Sequence, residues 1–305
     1  MTVKTTVNWL GTIGKVDVSD GVISHVPVLA ETATQLDSVS PQEPVSLAKS
    51  NIEFEAGTIF FEVFLQEPKN SCQLVLNMDQ EILIFIGLNV FNNAYGIALF
   101  QKNQWTIAAS AALGDHPPTQ KWIPLEIRVM GSVIQLFVSG VRVCTTSQPV
   151  YKTQLGIYFR GVTPVQVRNF RVESEKPAAF IVMQYTDEYN ALYQDVIKPT
   201  CESFGYSVVR GDDPNLNGPI IDDITRSIRE SSIVIAEITL DNPNVFYEVG
   251  YSHALTKPTI LLSDRKRGKL PFDVSGFRTL FYDNTIGGKG VVEASLKKHL
   301  QALEV

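Results

Sequence analysis

The chain has 305 residues, of which 44% are hydrophobic and 19% are charged, a composition typical of a folded globular protein. At about 150 residues per domain, this length predicts two domains. The net charge of −6 gives no bulk attraction to nucleic acid or to an anionic membrane, so neither is expected as a partner. No run approaches the roughly 18 apolar residues of a membrane span, and the N-terminus lacks the apolar core of a signal peptide.

Cysteine usage indicates a reducing compartment. Cys72, Cys144 and Cys201 are too few and too scattered for a disulfide framework or a zinc site. We therefore expect a cytoplasmic protein with reduced thiols and no metal. The strongly basic stretch Arg265–Lys269 is interpreted as a solvated loop, with a phosphate-contacting patch as the alternative.

Residues 1–174 are predicted to form an all-β jelly-roll sandwich. Runs rich in β-branched and aromatic residues follow one another, separated by turn signals such as Gly131-Ser132 and Ser139-Gly140. Many short strands at regular spacing, without a helical period between them, are typical of such a sandwich. The main runs are Gly57–Gln66, Cys72–Met78, Ile82–Asn89, Tyr95–Gln101 and Leu125–Cys144.

The strand and hairpin KWIPLEIRVMGSVIQLFVSGVRV, followed by LGIYFRG and a closing VRNFRV, resembles the concanavalin-like and laminin-G-like jelly rolls. The resemblance covers most of residues 50–172. It implies that this half serves recognition or assembly and binds a glycan or a protein on a sheet face. No Asp/Asn/His cluster at metal-ligand spacing supports a calcium-dependent lectin site. Trp105 and Trp122 are interpreted as core residues rather than as sugar platforms.

After the polar linker Glu173–Pro177, the pattern changes to alternating strands and helices over residues 178–305. Repeated βα units predict a flavodoxin-like α/β domain with a parallel five-stranded sheet and helices on both faces. Pro199 is expected to kink or break the first helix, and Gly287–Gly290 is interpreted as a flexible turn. The second helix is expected to place Ile220, Ile221, Ile224 and Ile228 on one face. The predicted strands lie in AAFIVMQY, YSVVRGDD, IVIAEIT, PTILLS and RTLFYD.

The chain order of these strands locates a candidate site. Ligands of open parallel sheets bind beyond the carboxyl ends of the strands, where the strand order reverses. If the order is 2-1-3-4-5, the reversal lies between the first and third strands. The loops that follow these strands are Gln184–Tyr189 and Leu240–Asn244, and Glu248 lies one turn into the helix after the second loop.

Glu248 is the one charged residue in a helix of mostly aromatic, small and aliphatic residues. A capping box does not explain it, because it falls beyond the third helical position with either asparagine of the preceding turn as cap. A buried ion pair with Arg210 or Arg226 is one alternative. If the carboxylate instead faces a ligand, the helix N-terminus favours its ionised form while partial burial opposes it. A poorly hydrated carboxylate suits attack on an oxocarbenium-like centre, or its stabilisation.

The stretch IVIAEITLDNPNVFYEVGYSHALTKPTILL resembles the signature of nucleoside 2-deoxyribosyltransferase-like proteins, relatives of the Toll/interleukin-1 receptor (TIR) domains. SVVRGDDPNLNGPIIDDITRSI matches the pattern of the same group, and the resemblance covers residues 178 to about 283. The Asn-Pro-Asn turn, the Tyr-Glu pair and the following Gly are in register. In that superfamily the helix glutamate acts on an N-glycosidic bond of a nucleoside or of NAD. The resemblance therefore implies that Glu248 is catalytic.

The remaining predicted site residues surround this glutamate. The Asp and Asn side chains suit ribose hydroxyls or a base edge, although the same residue types are common turn formers. The tyrosines would shape the base pocket, and the glutamine would supply an amide contact. Many relatives have Asp where this chain has Glu237, which either alters ribose recognition or is a structural acid. The predicted substrate-binding residues are Gln184, Tyr185, Asp212, Asp241, Asn242, Asn244 and Tyr247.

The leading hypothesis is an enzyme that cleaves an N-glycosidic bond in NAD, a nucleoside or a nucleotide, with no cofactor beyond the substrate. By analogy, TIR-like domains fused to recognition modules suggest an antiviral defence effector that works as a homo-oligomer. One alternative is a non-catalytic TIR-like module that signals by assembly and binds a nucleotide. Another is a glycan-binding protein whose second half binds a regulatory nucleotide.

Overall fold

A computed structural model describes residues 7–28, 43–211 and 220–303. The chain divides into two compact units. The first unit holds most of the described residues up to 175. The second unit holds residues 176–303 together with the short segments Met130–Val133 and Ser147–Pro149.

The first unit is a sandwich of antiparallel strands. Its first sheet has the order β1-β4-β13-β6-β7-β8-β9, and its second sheet has the order β12-β11-β10-β5-β14-β3-β2. The strands are β1 (Trp9–Ile13), β2 (Val16–Ser19), β3 (Val22–His25), β4 (Val45–Phe54), β5 (Gly57–Leu65), β6 (Ser71–Leu76), β7 (Ile82–Val90), β8 (Asn93–Gln101), β9 (Gln104–Leu113), β10 (Trp122–Met130), β11 (Val133–Val138), β12 (Val141–Ser147), β13 (Thr153–Arg160) and β14 (Val165–Ser174).

Alternation along the strands builds the sandwich core. In β5, buried residues alternate strictly with half-buried ones, because successive side chains point to opposite faces of a sheet. In the first sheet, Ile84, Ile86 and Leu88 face this core. Phe85, between them in sequence, belongs to a smaller apolar cluster with Val75 on the outer face of the same sheet.

The second unit alternates strands and helices. Its parallel sheet has the order β16-β15-β17-β18-β19, which is the predicted 2-1-3-4-5 arrangement. The elements are β15 (Ala178–Val182), α1 (Asp187–Leu192), α2 (Lys198–Ser203), β16 (Ser207–Arg210), α3 (Ile220–Glu230), β17 (Ile233–Glu237), α4 (Pro243–Ala254), β18 (Thr259–Asp264), α5 (Phe272–Ser275), β19 (Thr279–Tyr282) and α6 (Ile286–Leu303).

Helices cover both faces of this sheet. On one face, α1, α2 and α6 pack against Ile181 and Ile235, and on the other face α3 and α4 pack against Phe180 and Val234. The central strand β17 is buried throughout, as expected of a strand covered on both faces. The predicted fold class, a jelly-roll sandwich followed by a flavodoxin-like parallel sheet, is confirmed.

The structure corrects two local predictions and confirms an irregularity near Pro199. Gly287–Gly290 is not a turn but lies in the first turns of α6, where the Thr285 hydroxyl accepts a hydrogen bond from the Gly288 N–H at 3.0 Å. Ile221 is exposed rather than on the buried face of α3, while Ile228 is fully buried. The expected irregularity near Pro199 is a π-helical segment, Tyr193–Ile197, directly before α2.

Candidate functional site

The two loops that the sequence placed at the strand reversal do meet. Gln184 follows β15 and Asn242 follows β17, and these strands are neighbours at the point where the order reverses. The Asn242 Nδ2 donates a hydrogen bond to the Gln184 Oε1 at 3.4 Å. Two of the predicted site residues are therefore in contact at the carboxyl edge of the sheet.

Asn242 also begins α4. Its side-chain Oδ1 accepts a hydrogen bond from the Asn244 N–H at 3.0 Å, and Pro243 occupies the first helical position, where its missing N–H costs nothing. The turn-forming role of Asn242 is thus real, and it coexists with the contact to Gln184. Glu248 is the sixth residue of α4, about 9 Å along the helix axis from the cap.

Glu248 lies on the flank of α4 that faces away from β18. Pro243, Phe246 and His253 line a groove against the segment that follows β18, and Glu248 is about 140° around the helix from Pro243. Its flank is therefore not the one that lines this groove, and α3 also packs against α4. The buried neighbour one turn earlier is Val245.

The Glu248 carboxylate is half-buried and has no hydrogen-bond or ion-pair partner among the described residues. Among the described residues, the alternative that Glu248 forms an ion pair with Arg210 or Arg226 is wrong. Arg210 donates instead to the Asn190 Oδ1 at 2.9 Å, and Arg226 pairs with Asp223 at 3.1 Å.

Burial raises the pKa of Glu248 to about 7. The helix N-terminus, which would lower it, acts mainly on the first turn, and Glu248 lies beyond that turn. Desolvation therefore prevails, because it disfavours the charged form of a carboxyl group. A carboxyl group that titrates near neutrality and lacks a structural partner is a candidate functional group.

Tyr185 lies on the β16 side of the reversal. The Arg210 guanidinium is 5.1 Å from the centre of its ring. A Cβ added at Gly211 would come within 2.9 Å of the Tyr185 hydroxyl, so the chain passes close to this tyrosine at the end of β16. Asp212, the next predicted site residue, lies outside the described residues.

Asp241 is engaged by the basic stretch. Its exposed carboxylate forms an ion pair with Arg267, whose side chain is only 8% exposed. Arg267 also donates to the backbone oxygens of Ile238 and Thr239, at 2.6 Å each. The interpretation of Arg265–Lys269 as a solvated loop is therefore wrong for Arg267, which ties the loop after β17 to the end of β18.

The other two predicted contacts are on the surface of α4. Asn244 is exposed, and its backbone N–H is used by the cap. Tyr247 is exposed, and its ring lies parallel to that of Tyr251 with centroids 6.4 Å apart. The roles of Asn244 and Tyr247 as substrate contacts stay predictions.

Glu237 is a buried acid at the end of β17. It accepts hydrogen bonds from the Thr239 N–H at 3.2 Å, from the Thr239 hydroxyl and from the Tyr282 hydroxyl at 3.1 Å. Burial raises its pKa to about 7 despite these donors. Of the two readings of Glu237, this arrangement favours the structural acid. The Tyr282 partner has no local sequence signal, because it comes from β19.

A second candidate surface is on the first unit, where the resemblance to jelly rolls implied a ligand on a sheet face. Trp105 is 43% exposed and lies on the outer face of the first sheet, not in the sandwich core. Its ring centre is 4.7 Å from Phe85, 4.9 Å from Phe100 and 5.5 Å from Phe91. The interpretation of Trp105 as a core residue is therefore wrong. Trp122 is likewise outside that core, with the Arg168 guanidinium 3.9 Å above its ring.

The described residues also bear on the predictions about thiols, metal ions and membrane spans. Cys72, Cys144 and Cys201 are buried free thiols. Within residues 7–28, 43–211 and 220–303, no group of three or more His, Cys, Asp or Glu side chains could hold a metal ion. No helix in these ranges is long and apolar enough to cross a bilayer.

No model of a known protein family matches the chain, and no curated protein matches it. Solved structures do match. The carbohydrate-binding module CBM66 from Bacillus subtilis is similar with a TM-score of 0.44 and 11% identity, over 54% of this chain and 95% of that chain. A prokaryotic β-1,3-1,4-glucanase (lichenase) derived from a mouse hindgut metagenome has a TM-score of 0.39 and 10% identity, over 54% and 92%. A Bacillus subtilis protein of unknown function with a galectin-like fold has a TM-score of 0.40 and 14% identity, over 55% and 89%. At these scores the similarity carries no argument about function.

Proposed function

We propose that the second unit cleaves the N-glycosidic bond of NAD, or of a nucleoside or nucleotide, with Glu248 as the catalytic residue. The observation that carries this proposal is the half-buried Glu248 carboxylate, which has no partner among the described residues and lies near the strand reversal. A carboxylate held by an ion pair would be a structural group, whereas a poorly hydrated free carboxylate is available to a substrate.

The chemistry follows from the carboxylate. One Glu248 oxygen forms a bond to the anomeric carbon as the carbon–nitrogen bond breaks, and the bonding electron pair leaves with the base. Water or a second base then takes the sugar and releases the carboxylate. Alternatively, the same carboxylate stabilises the oxocarbenium-like centre without forming a bond. Nicotinamide leaves NAD as a neutral molecule, so that substrate needs no proton donor, whereas a nucleoside base leaves more easily when protonated.

The neighbouring side chains supply recognition. The Gln184 and Asn242 amides, which already contact each other, can donate to or accept from ribose hydroxyls or a base edge. Tyr185 offers a ring for the base. The predicted substrate contacts also include Asp241, Asn244, Tyr247 and Asp212. Asp241 would contact the substrate while it is paired with Arg267. Depletion of NAD or nucleotides would suit a defence effector.

The test is base release. Purified protein is incubated with NAD and with a nucleoside panel, and free base is measured by chromatography. We expect Glu248→Gln to lower release by about a thousandfold or more, because it removes the reacting group while keeping the shape. Glu230→Gln, the same change at an exposed position of the same unit, is the matched control and should be unaffected.

Two results would count against the proposal. If Glu248→Gln released base as fast as the wild type, the reaction would belong to another group. If the wild type released no base from any substrate, alone or with candidate activators, the non-catalytic nucleotide-binding assembly module would take precedence. Calorimetric titration with NAD would then measure binding in the absence of turnover.

A second candidate function concerns the first unit. We propose that the outer face of the first sheet binds a glycan at Trp105 and Phe91, whose rings are both exposed. The apolar C–H face of a sugar ring packs on an aromatic ring, and exposed aromatic clusters are uncommon without a ligand. Binding to a glycan panel should be lost in Trp105→Ala. It should persist in Leu113→Ala, which removes an exposed side chain from the same strand. Equal binding by both variants would exclude this face.

A further inference from the structure

An apolar groove lies on the flank of α4 opposite to Glu248. Its volume is about 510 Å³, and its walls come from Asp241, from α4 and from the segment around α5. Phe246, Val249 and Val274 make the lining apolar. A Cβ added at Gly250 would meet no atom within 4 Å, so there is open space above the middle of the helix. The groove can therefore accept a bulky apolar side chain.

Phe272 is 91% exposed and stands beside this groove. Its sequence neighbours Pro271 and Asp273 both line the groove, whereas Phe272 itself does not. A nearly fully exposed phenylalanine leaves most of its apolar surface in water, which is unfavourable unless another molecule covers it. The same short segment thus carries both a projecting apolar ring and part of an apolar groove.

We propose that two copies of this chain pair about a two-fold axis, with Phe272 of each copy in the groove of the other. A two-fold contact uses the same patch on both partners, so it requires a patch that is complementary to itself. A projecting ring adjacent to a groove of matching character meets that requirement. The proposal goes beyond the catalytic function and does not depend on Glu248, although Asp241, a proposed substrate contact, also lines the groove.

The exposed charges beside the groove favour a second copy of this chain as the molecule that fills it. Asp273 and Arg278 are both exposed on this segment, and neither has an ion pair or side-chain hydrogen bond among the described residues. Across a two-fold axis, each carboxylate can meet the guanidinium of the other copy. Opposite charges a few residues apart are compatible with self-pairing, whereas like charges would oppose it. Phe277, which stacks on His253 with ring centres 4.0 Å apart, adds apolar surface at the rim.

The first experiment measures self-association of the full chain by sedimentation velocity across a protein concentration series. We expect a dimer that dissociates on dilution, and at least about tenfold weaker association in Phe272→Ser. The matched control is Val291→Ser, which removes an exposed apolar side chain from α6. A wild type that stays monomeric throughout, or equal association of both variants with the wild type, overturns the proposal.

The second experiment fills the groove. At Gly250 an added Cβ meets no atom within 4 Å, so Gly250→Leu directs a larger apolar side chain into the groove and should weaken association as Phe272→Ser does. A mixture of these two variants keeps one intact ring and one intact groove in each mixed pair, so it should associate more strongly than either variant alone. No recovery in the mixture, or normal association of Gly250→Leu, would show that the ring does not enter the groove.

The charges provide a third test. Asp273→Arg alone should weaken association, because two guanidinium groups would then face each other. Asp273→Arg combined with Arg278→Asp should restore it. If the double change associated no better than the single change, these two residues would not pair across the contact, and the proposed two-fold arrangement would be wrong.

Discussion

At the residue scale, Glu248 is unusual for what surrounds it. Its helix brings no charged neighbour, and the described residues offer its carboxylate no donor. Glu237, one strand earlier, is more deeply buried but is surrounded by donors from Thr239 and Tyr282. Both acids titrate near neutrality, yet only Glu248 has oxygens free for a substrate.

The raised pKa of Glu248 determines how activity should vary with pH. The carboxylate must be ionised to attack or to stabilise a positive centre, and its pKa is about 7 rather than 4.5. We expect kcat/KM for base release to rise with pH through a midpoint near 7. A midpoint near 4.5 would show that Glu248 is well hydrated or is not the reacting group.

The same two acids should make stability depend on pH. From about pH 4.5 to about 7 the folded state retains protons that the unfolded chain has released, so the free energy of unfolding falls as pH rises. Urea unfolding at several pH values would measure this slope. Glu237→Gln and Glu248→Gln should each flatten it, and Glu230→Gln should not. A free energy that rises over this window would contradict the sign.

Lys257 should act in the opposite direction at higher pH. Its side chain is buried, its Nζ donates to the backbone oxygens of Arg229 and Ser231, and burial lowers its pKa to about 7. Between about pH 7 and its usual value of 10.5 the unfolded chain holds the extra proton, so the free energy of unfolding rises with pH. Lys257→Gln should remove this rise. An unchanged rise in that variant would assign it to another group.

At the element scale, α4 is positioned by its first residues. Asn242 caps the helix and also reaches Gln184 after β15, so one side chain fixes both the start of the helix and its relation to the neighbouring loop. Pro199, in contrast, lies where a helix is irregular. A residue without an N–H sits just after the π-helical segment Tyr193–Ile197, where regular helical hydrogen bonding is already interrupted.

Loss of this cap should have a measurable cost. We expect Asn242→Ala to lower the free energy of unfolding by about 1 kcal/mol, because an N–H of the first turn loses its acceptor. Asn242→Asp keeps the capping acceptor but loses the donor to Gln184, so it should be more stable than Asn242→Ala. Urea unfolding compares the three proteins. Equal stability of all three would show that the cap contributes nothing.

At the scale of the whole molecule, the two proposed functional surfaces belong to different units, and each unit has its own hydrophobic core. Trp105 lies over the outer face of the first sheet, whereas Glu248 belongs to the parallel sheet unit. We expect Trp105→Ala to abolish glycan binding with base release unchanged, and Glu248→Gln to do the reverse. Parallel assays of both variants test this. Loss of both properties in either variant would mean that the two functions are coupled.

Much of the fold was accessible from the sequence because it depends on local patterns. Continuous apolar runs predicted the buried parallel strands, and alternation predicted the hairpin of β10 and β11. The sequence does not predict β1 and β2, because they are mostly exposed and carry a weak apolar pattern. The prediction of a turn at Gly287–Gly290 is wrong because glycine favours turns only locally, and the packing of α6 against the sheet overrides that preference.

The features of the candidate site likewise separate into those that depend on local sequence and those that depend on tertiary contacts. Periodicity and turn chemistry, both readable along the chain, determined that Glu248 follows an Asn-Pro-Asn turn at the start of a helix. The tertiary structure supplied the strand order that puts this turn beside the reversal of the parallel sheet. The tertiary structure alone decided that the described arginines leave this carboxylate unpaired, that Arg267 holds Asp241, and that Trp105 faces outward. These outcomes depend on residues far apart in sequence, and the solvation of a charge or a ring depends on everything that folds around it rather than on its neighbours in the chain.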